Sequence, residues 1–467
     1  MANRNLRRLQ PQWALFTRRL QTRRSVMAFL VVLLPFTAIM VTQGQSTPID
    51  PGVRGGAPGA GGPIAGLTVQ ESKFFQDGQN RFTETDSVSG TVAGEVGSGL
   101  GPRFNLNSCV GCHTQPAVGG TSPATNPEVA VATLDGATNT VPFFITLDGP
   151  VREARLKFNA DGSRDGGVHD LFTITGRVDA QGCTIAQPDF LTANAASNLI
   201  FRIPTPTYGG GLIEEISDAT IVANHNSNVA AKQALGISGH PNRNGNDGTI
   251  ARFGWKAQNK SLQLFSGEAY NVEIGVTNEV FQTERDETAG CLFNPTPEDH
   301  TNFNLTQPQK VSSDVAAFSH FMRFLAPPTP SSTTPGGAAS ITTGSALFNS
   351  IGCAFCHTPA LTTGRATSAA LGNQPANLFS DLLVHHMGSG LADDIVQGQA
   401  GDDEFRTAPL WGLGQRIFLL HDGRSTNLLE AIQEHASSGS EANGVISNFN
   451  ALTISQKQDI LNFLRSR

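Results

Sequence analysis

The apolar positions of this chain form short helical stretches that are separated by long polar and glycine-rich segments. Apolar spacing over residues 69–82 predicts one helix, and a second is predicted around residues 315–325, where consecutive prolines end it. The last segment, residues 455–467, also carries its apolar side chains on one helical face. Residues 114–200 are rich in Thr, Gly, Asn and Asp and contain only short alternations such as Leu171–Thr175. The pattern therefore predicts a mainly α fold with an irregular, partly β insertion.

The amino-terminal segment has the pattern of an export signal. An apolar run of 16 residues extends from Val26 to Val41 and includes Pro35, against the roughly 20 residues that span a bilayer. Small residues follow at Thr42 and Gly44, as a cleavage site requires. An uncleaved anchor is the alternative, and in either case we expect a periplasmic or otherwise exported body. The run is preceded by seven arginines: Arg4, Arg7, Arg8, Arg18, Arg19, Arg23 and Arg24.

Two segments of low complexity divide the remaining chain. Residues 46–66 are rich in Gly and Pro, and residues 326–340 are rich in Pro, Ser, Thr and Gly, so both read as linkers. Beyond the signal peptide or anchor at residues 1–45, the sequence therefore predicts a first domain at 67–325 and a second at 341–467.

Composition and charge exclude several classes of protein. An apolar share of 39% is enough for packed cores, so the 50 Gly and 26 Pro indicate loops rather than disorder. The net charge is −7, and because residues 1–45 hold Arg but no acid, the remaining chain is more acidic still. An acidic body without a basic stripe argues against a nucleic-acid partner.

The clearest chemical signal is a motif of the type Cys-x-x-Cys-His. Two thiols at this spacing can add to the two vinyl groups of one haem, and the adjacent His can then bind the iron. No further Cys-x-x-Cys pair is present to complete a zinc site. The sequence thus predicts two covalently bound haem c groups in two cytochrome-c-like domains. The two copies are Cys109-Val-Gly-Cys112-His113 and Cys353-Ala-Phe-Cys356-His357.

Two other features are less specific. Cys183 and Cys291 remain after the haem motifs, and outside the cytoplasm a disulfide between them is favoured over two buried free thiols. Residues 161–166 faintly resemble a calcium-binding loop, but a plain turn accounts for them, and calcium has no other support in the sequence.

The second domain resembles the di-haem cytochrome c peroxidase superfamily, whose runs F-R-x-x-P-L, H-x-G and L-x-E-A-V match Phe405–Leu410, His421–Gly423 and Leu428–Ile432. Over residues 70–113 and 200–467 the chain is more closely similar to the di-haem oxidoreductases, sometimes labelled thiol-oxidoreductase-like. The insertion departs from this resemblance. The stretches that carry it are Phe104-Asn-Leu-Asn-Ser-Cys, Gly209-Gly-Gly-Leu-Ile-Glu-Glu215, Arg252-Phe-Gly-Trp-Lys-Ala257, Gly275-Val-Thr-Asn278, His386-Met-Gly-Ser-Gly-Leu-Ala-Asp393 and Leu410-Trp-Gly-Leu-Gly414.

The resemblance also bears on the axial ligands of the two irons. His435 stands where the superfamily carries Met or Tyr, which implies a His/His second haem through His357, with Met387 as the rival ligand. No motif marks a second ligand for the first haem, and the resemblance favours an open iron, as a peroxidase needs. The candidates without a motif are His169, His225, His240, His320 and Met322.

The segment from Trp255 to Glu273 resembles the superfamily pattern W-x-x-x-A…L-x-x-Q-A…E-M, with the spacing shortened by about two residues. The resemblance implies that Trp255 is an electron bridge between the haems and that Glu273 is an acid–base group over the open iron. Gln263 is a candidate assistant, although its position does not match cleanly. Core burial of Trp255 and a solvated Glu273 are the alternatives, and Glu214 and Glu215 are second choices for the acid–base role.

Two functions follow from these expectations. The first is a peroxidase-like oxidoreductase that acts on peroxide or a small oxidisable substrate, with a small periplasmic electron-transfer protein as donor. The second is a di-haem cytochrome that relays electrons between periplasmic partners with both irons six-coordinate. Contact with a membrane is expected only if the amino-terminal segment stays uncleaved.

Overall fold

A computed structural model describes residues 47–467, so the expected signal peptide or anchor lies outside the described residues. Regular structure in this part is mainly helical, and none of its helices is long and apolar enough to cross a membrane. The helices are α1 (Val69–Thr83), α2 (Cys109–Cys112), α3 (Glu128–Val131), α4 (Phe190–Ala195), α5 (Gly210–Glu215), α6 (Asp218–His225), α7 (Val229–Ala234), α8 (Leu262–Ile274), α9 (Pro308–Val311), α10 (Asp314–Phe324), α11 (Gly337–Ser350), α12 (Leu428–Gln433), α13 (Asn443–Ala451) and α14 (Ile454–Arg465).

The strands are short and pair in small sheets. In the described chain, β5-β4-β7 forms a three-stranded sheet, and the two-stranded pairs are β1-β2, β3-β6, β8-β9 and β10-β11. The strands are β1 (Asp86–Ser87), β2 (Gly97–Ser98), β3 (Arg103–Phe104), β4 (Glu153–Leu156), β5 (Val168–His169), β6 (Phe172–Thr173), β7 (Leu199–Arg202), β8 (Leu361–Thr362), β9 (Pro375–Ala376), β10 (Val384–His386) and β11 (Glu404–Arg406).

Each half of the described chain is built around one close helix pair. Helix α1 packs on α10, and α11 packs on α14, so all three helices predicted from apolar spacing are confirmed. At both crossings a glycine allows the close approach, because a Cβ at Gly78 would meet the carbonyl of Ala317 and one at Gly344 would meet that of Asp459. The larger core surrounds the first pair and a smaller core surrounds the second.

The insertion is partly β, as its composition predicts. Strand β4 pairs antiparallel with β7, which places Glu153 beside Arg202, and β6 pairs with β3 close to the first Cys motif. A disulfide of 2.10 Å joins Cys183 in the insertion to Cys291, which confirms the predicted bond. The insertion is therefore fastened to the helical body at its strands and at this crosslink.

The two stretches read as linkers both make defined contacts. The Asp50 carboxylate accepts bonds of 2.8 and 2.6 Å from the guanidinium of Arg465, whose side chain is fully buried. Residue Pro63 forms a β-bridge with Leu325, and the amide of Ser331 donates to the carbonyl of Ser466. These contacts tie both stretches to the rest of one compact unit.

Candidate functional site

The second Cys-x-x-Cys-His motif opens into a large apolar cavity. Cys353, Cys356 and His357 line it, and so does His435, which follows α12. The other lining residues are mostly aliphatic and aromatic side chains of the second core. A cavity of this size and lining, next to two cysteines and two imidazoles, fits a covalently held haem.

Two of the imidazoles that line this cavity, His357 and His435, are oriented by backbone carbonyls. His357 Nδ1 lies 3.0 Å from the carbonyl of Phe379, and His435 Nδ1 lies 2.7 Å from that of Ala431. A proton on Nδ1 leaves Nε2 as the lone-pair donor for a metal. Burial lowers the pKa of His435 and brings that of His357 to about 4, so both rings stay neutral, which is the form that binds iron.

Two neighbouring side chains could compete for this site. Met387, the rival axial ligand, lines the same cavity, so its thioether remains a candidate ligand of the second iron. His385 lies within 4.8 Å of ligand atoms on Cys356 and Asp381, a grouping that could hold an ion. However, Cys356 belongs to the haem motif, and the ring nitrogens of His385 bond to Asp381 at 2.9 Å and Glu441 at 2.7 Å. Carboxylate partners therefore account for His385.

The first motif borders a different, smaller cavity. Cys109 and Cys112 are the two ends of α2, one helical turn apart, and Cys109 and His113 line the cavity. His113 Nδ1 lies 3.0 Å from the carbonyl of Gly120, and burial lowers the pKa of its ring. His113 is thus prepared in the same way as the imidazoles of the second cavity.

The first cavity has a larger polar share in its wall than the second. Glu273 comes from α8, while Glu153 and Arg155 come from β4 of the insertion. Burial raises the pKa of Glu273 well above its usual range, and the charge and hydrogen bond of the neighbouring Glu153 raise it further. Glu273 therefore holds its proton more tightly than a free carboxyl group does.

Two polar atoms on the wall of the first cavity lack protein partners. They are Oε1 of Gln258 and Nε of Arg155, both of which are buried without a hydrogen bond among the described residues. A buried polar atom left unpaired in a cavity indicates a missing polar ligand. Together with the cysteine motif of α2, these two atoms are suited to bind the polar edge of a haem or a small polar substrate.

Trp255 is the side chain that the two cavities share. It lines both of them, and its indole N–H donates to the carbonyl of Ile203 at 2.8 Å. Its own carbonyl accepts from the amide of Arg406 at 2.8 Å. The ring centroid of His421, which also lines the second cavity, lies 6.4 Å from that of Trp255. The indole is therefore fixed between the two sites.

The structure brings some of the predicted site residues together and separates others. Trp255, Glu273 and Met322 share the first cavity with His113, whereas Gln263 is exposed on α8 and lines neither cavity. Four predicted candidates lie away from the first cavity in the described chain: His169, bonded to Asp165; His225, in the last turn of α6; His240, bonded to Glu404; and His320, packed on Phe74. The second-choice acids, Glu214 and Glu215, end α5; Glu214 pairs with Arg323. Residues 161–166 form a turn in which Asp161 accepts from Ser163.

The residues that sequence reasoning missed come from the insertion. Glu153 and Arg155 are alternate residues of one strand, and side chains two apart in a strand share a face. Their Glu-Ala-Arg-Leu pattern was the available signal, but four residues of alternation do not reveal which surface that face covers. Gln258, which also lines the first cavity, lies outside the insertion, and no sequence pattern marks it as a site residue.

Several solved structures are similar to parts of this chain. A hydrazine synthase of Kuenenia stuttgartiensis, pressurised with 20 bar xenon, has 16% identity over 34% of this chain and 55% of its own, with a TM-score of 0.22. The diheme peroxidase BthA of Burkholderia thailandensis has 14% identity over 46% and 65%, with a TM-score of 0.28. This chain thus spans less than two thirds of either one. A MauG-like protein associated with microbial copper homeostasis has 15% identity over 56% and 89%, with a TM-score of 0.26.

A search of curated proteins finds no significant match. A family model, described as "Di-haem oxidoreductase, putative peroxidase", matches residues 157–467. The matched region holds the second Cys motif and the segment from Trp255 to Glu273, and it begins after the first motif. Because the match covers more than half of the chain, this protein belongs to the di-haem oxidoreductase family.

Proposed function

We propose that this protein is an exported di-haem c-type cytochrome that acts as a peroxidase-like oxidoreductase. Peroxide or a small oxidisable substrate reacts in the first cavity, and electrons arrive there from the second haem through Trp255. The observation that carries this proposal is that Trp255 lines both cavities. A chain in which the two cavities shared no side chain would give no reason to couple them.

The first cavity has the groups that peroxide reduction requires. One peroxide takes up two electrons and two protons and gives two waters, so the site must both accept and return protons. Haem held by Cys109, Cys112 and His113 would supply the redox chemistry. Glu273, beside Glu153, gives the proton that it holds to the departing oxygen of peroxide, and its carboxylate then takes up the proton that the near oxygen loses.

The second cavity is suited to holding electrons rather than to chemistry. Haem held by Cys353 and Cys356 would have His357 and His435 as its two axial ligands, which leaves no position for a substrate. Two titratable groups on its wall, His385 and Glu441, are bonded to each other at 2.7 Å. We therefore assign electron entry from a small periplasmic electron-transfer protein to this side of the molecule.

The test is to follow electron delivery through Trp255. In fully reduced protein mixed with peroxide, reoxidation of the second haem in Trp255→Phe should slow at least about tenfold, equivalent to ~1.4 kcal/mol of barrier. Trp411→Phe is the matched control, because Trp411 is also buried but lines neither haem cavity. An unchanged rate in Trp255→Phe, or an equal loss in both variants, would contradict the proposed path.

A specific observation favours the electron relay as a second candidate. Met322 lines the first cavity, and its thioether would close the first iron if it became the second ligand. The spin state of the first haem decides between the two functions. A high-spin iron that binds peroxide supports the enzyme. A low-spin iron that loses its sixth ligand and becomes high-spin in Met322→Ala supports the relay.

A further inference from the structure

Three buried charged side chains lie beside Trp255, and we call Arg202, Lys256 and Asp393 the charge triad. Their side chains are 2%, 0% and 1% exposed, in that order. Asp393 Oδ2 accepts from Arg202 at 2.6 Å, and its Oδ1 accepts from Lys256 Nζ at 3.0 Å. One carboxylate thus holds two cations, which leaves the triad with one net positive charge inside the protein.

The partners of Lys256 show that its side chain is the ammonium. Besides Asp393, Nζ contacts the carbonyls of Gly401 at 2.7 Å, Glu404 at 2.9 Å and Asp402 at 3.3 Å. All four partners are acceptors only, so they match an ammonium with three donors better than a neutral amine. Such a site also offsets the cost of burying the charge.

The two cations lie on either side of the Asp393 carboxylate and face different neighbours. Lys256 Nζ lies 4.2 Å from the ring centroid of Phe405, which stacks on His421 at 4.4 Å, and both rings line the second cavity. Arg202 instead lines the first cavity. Trp255 directly precedes Lys256 in the chain and contacts both cavities.

We propose that Lys256 and Arg202 are fixed charges that set the electron affinity of the two haem sites, Lys256 acting on the second and Arg202 on the first. A buried positive charge stabilises the reduced, more electron-rich state of a nearby redox group, because the interior screens it weakly. Asp393 positions both cations and cancels one of them. Lys256 and Asp393 line neither haem cavity and act at a distance, whereas Arg202 lies on the wall of the first cavity. This inference rests on haem occupying both cavities, as the proposed function requires.

The test is a redox titration of the holoprotein in which the two haems are resolved by their spectra. Lys256→Met removes one charge but leaves Asp393 paired with Arg202, so no buried ion is orphaned. At a fixed potential, the ratio of reduced to oxidised second haem should fall about tenfold, which is 59 mV for a one-electron couple. Arg202→Met leaves Asp393 paired with Lys256. This variant should lower the reduction potential of the first haem more than that of the second.

The controls separate charge from packing. Lys256→Arg keeps the charge and should restore the potential, and Lys256→Gln replaces Lys256→Met if the latter does not fold. Lys260→Met removes one positive charge from an exposed ion pair with Asp247. It should leave the reduction potentials of both haems unchanged. Burial lowers the pKa of Lys256 to about 8, so the titrations are made below that pH.

Two results would overturn the inference. One is that the neutral variants leave both potentials unchanged. The other is that each of the variants Lys256→Met and Arg202→Met shifts the reduction potentials of the two haems by equal amounts. Failure of the proposed function would look different, since the wild-type protein would then lack peroxide turnover while the potentials still shifted as predicted.

Discussion

The two cavities of this protein border the same kind of motif but differ in their walls. The wall of the first includes the ionisable side chains of Glu153, Arg155 and Glu273, whereas the wall of the second is mostly aliphatic and aromatic, and its one carboxylate, Glu441, is bonded to His385. Under the proposed function, the Cys-x-x-Cys-His motif would determine only that haem is attached. The wall determines whether the iron has a free position and whether protons are available there.

The largest expected effect removes the second imidazole of the apolar cavity. His435→Ala should convert the whole second haem from low-spin to high-spin, because His357 would remain its only strong ligand, and absorption and EPR spectra would show this. The first haem should be unaffected. If His435→Ala leaves the spectrum unchanged while Met387→Ala alters it, the thioether is the ligand and the contrast between the cavities is smaller.

The next effect concerns the polar cavity. Glu273→Gln should lower peroxide turnover by about 10²–10⁴-fold, the range expected for a lost general acid–base, while the potential of the second haem stays the same. Glu215→Gln makes the same chemical change outside the cavity and should retain full turnover. Equal losses in the two variants would indicate a general loss of fold rather than a proton-transfer role.

A smaller effect is expected from the crosslink that holds the insertion. Replacing both Cys183 and Cys291 by Ser should cost about 2–5 kcal/mol of unfolding free energy. The first cavity takes part of its wall from the insertion, so its haem spectrum should become heterogeneous before that of the second haem. Adding reductant should destabilise the wild type and leave the variant unchanged. A variant as stable as the wild type would show that the strands alone hold the wall.

The smallest effect is a pH dependence that belongs to a small pocket beside the first cysteine motif. Burial raises the pKa of Glu128, beside Cys112, from 4.5 to about 8. Between these values the folded state keeps a proton that the unfolded state releases, so the unfolding free energy falls as pH rises, by at most about 1.4 kcal/mol per pH unit. Glu128→Gln should flatten this slope in denaturant titrations. The exposed Glu430→Gln in the second half should not change it.

The sequence predicts local structure well where one face of an element is apolar. The helices at α1, α10 and α14 follow directly from such spacing, and the disulfide follows from the compartment and the two leftover cysteines. The attachment motifs are equally local, since five consecutive residues contain the whole chemistry.

The rest of the site depends on contacts between distant segments. Glu153 meets Glu273 only because β4 pairs with β7 beside α8, and no local pattern encodes that placement. Arg202 and Asp393 are 191 residues apart in the chain. The exposed position of Gln263 has a related cause: on α8, the faces that bear Gln263 and Glu273 differ, and spacing taken from a resemblance does not determine the face.

The pair of Asp50 and Arg465 has a consequence for the last helix of the chain. The Asp50 carboxylate binds the buried guanidinium of Arg465 and accepts from the amide of Leu428 at 2.6 Å. Removing one partner of a buried ion pair costs about 3–5 kcal/mol, because the other charge is left uncompensated. Loss of the segment that carries Asp50 would therefore destabilise α14, although the two residues of the pair are 415 positions apart in the sequence.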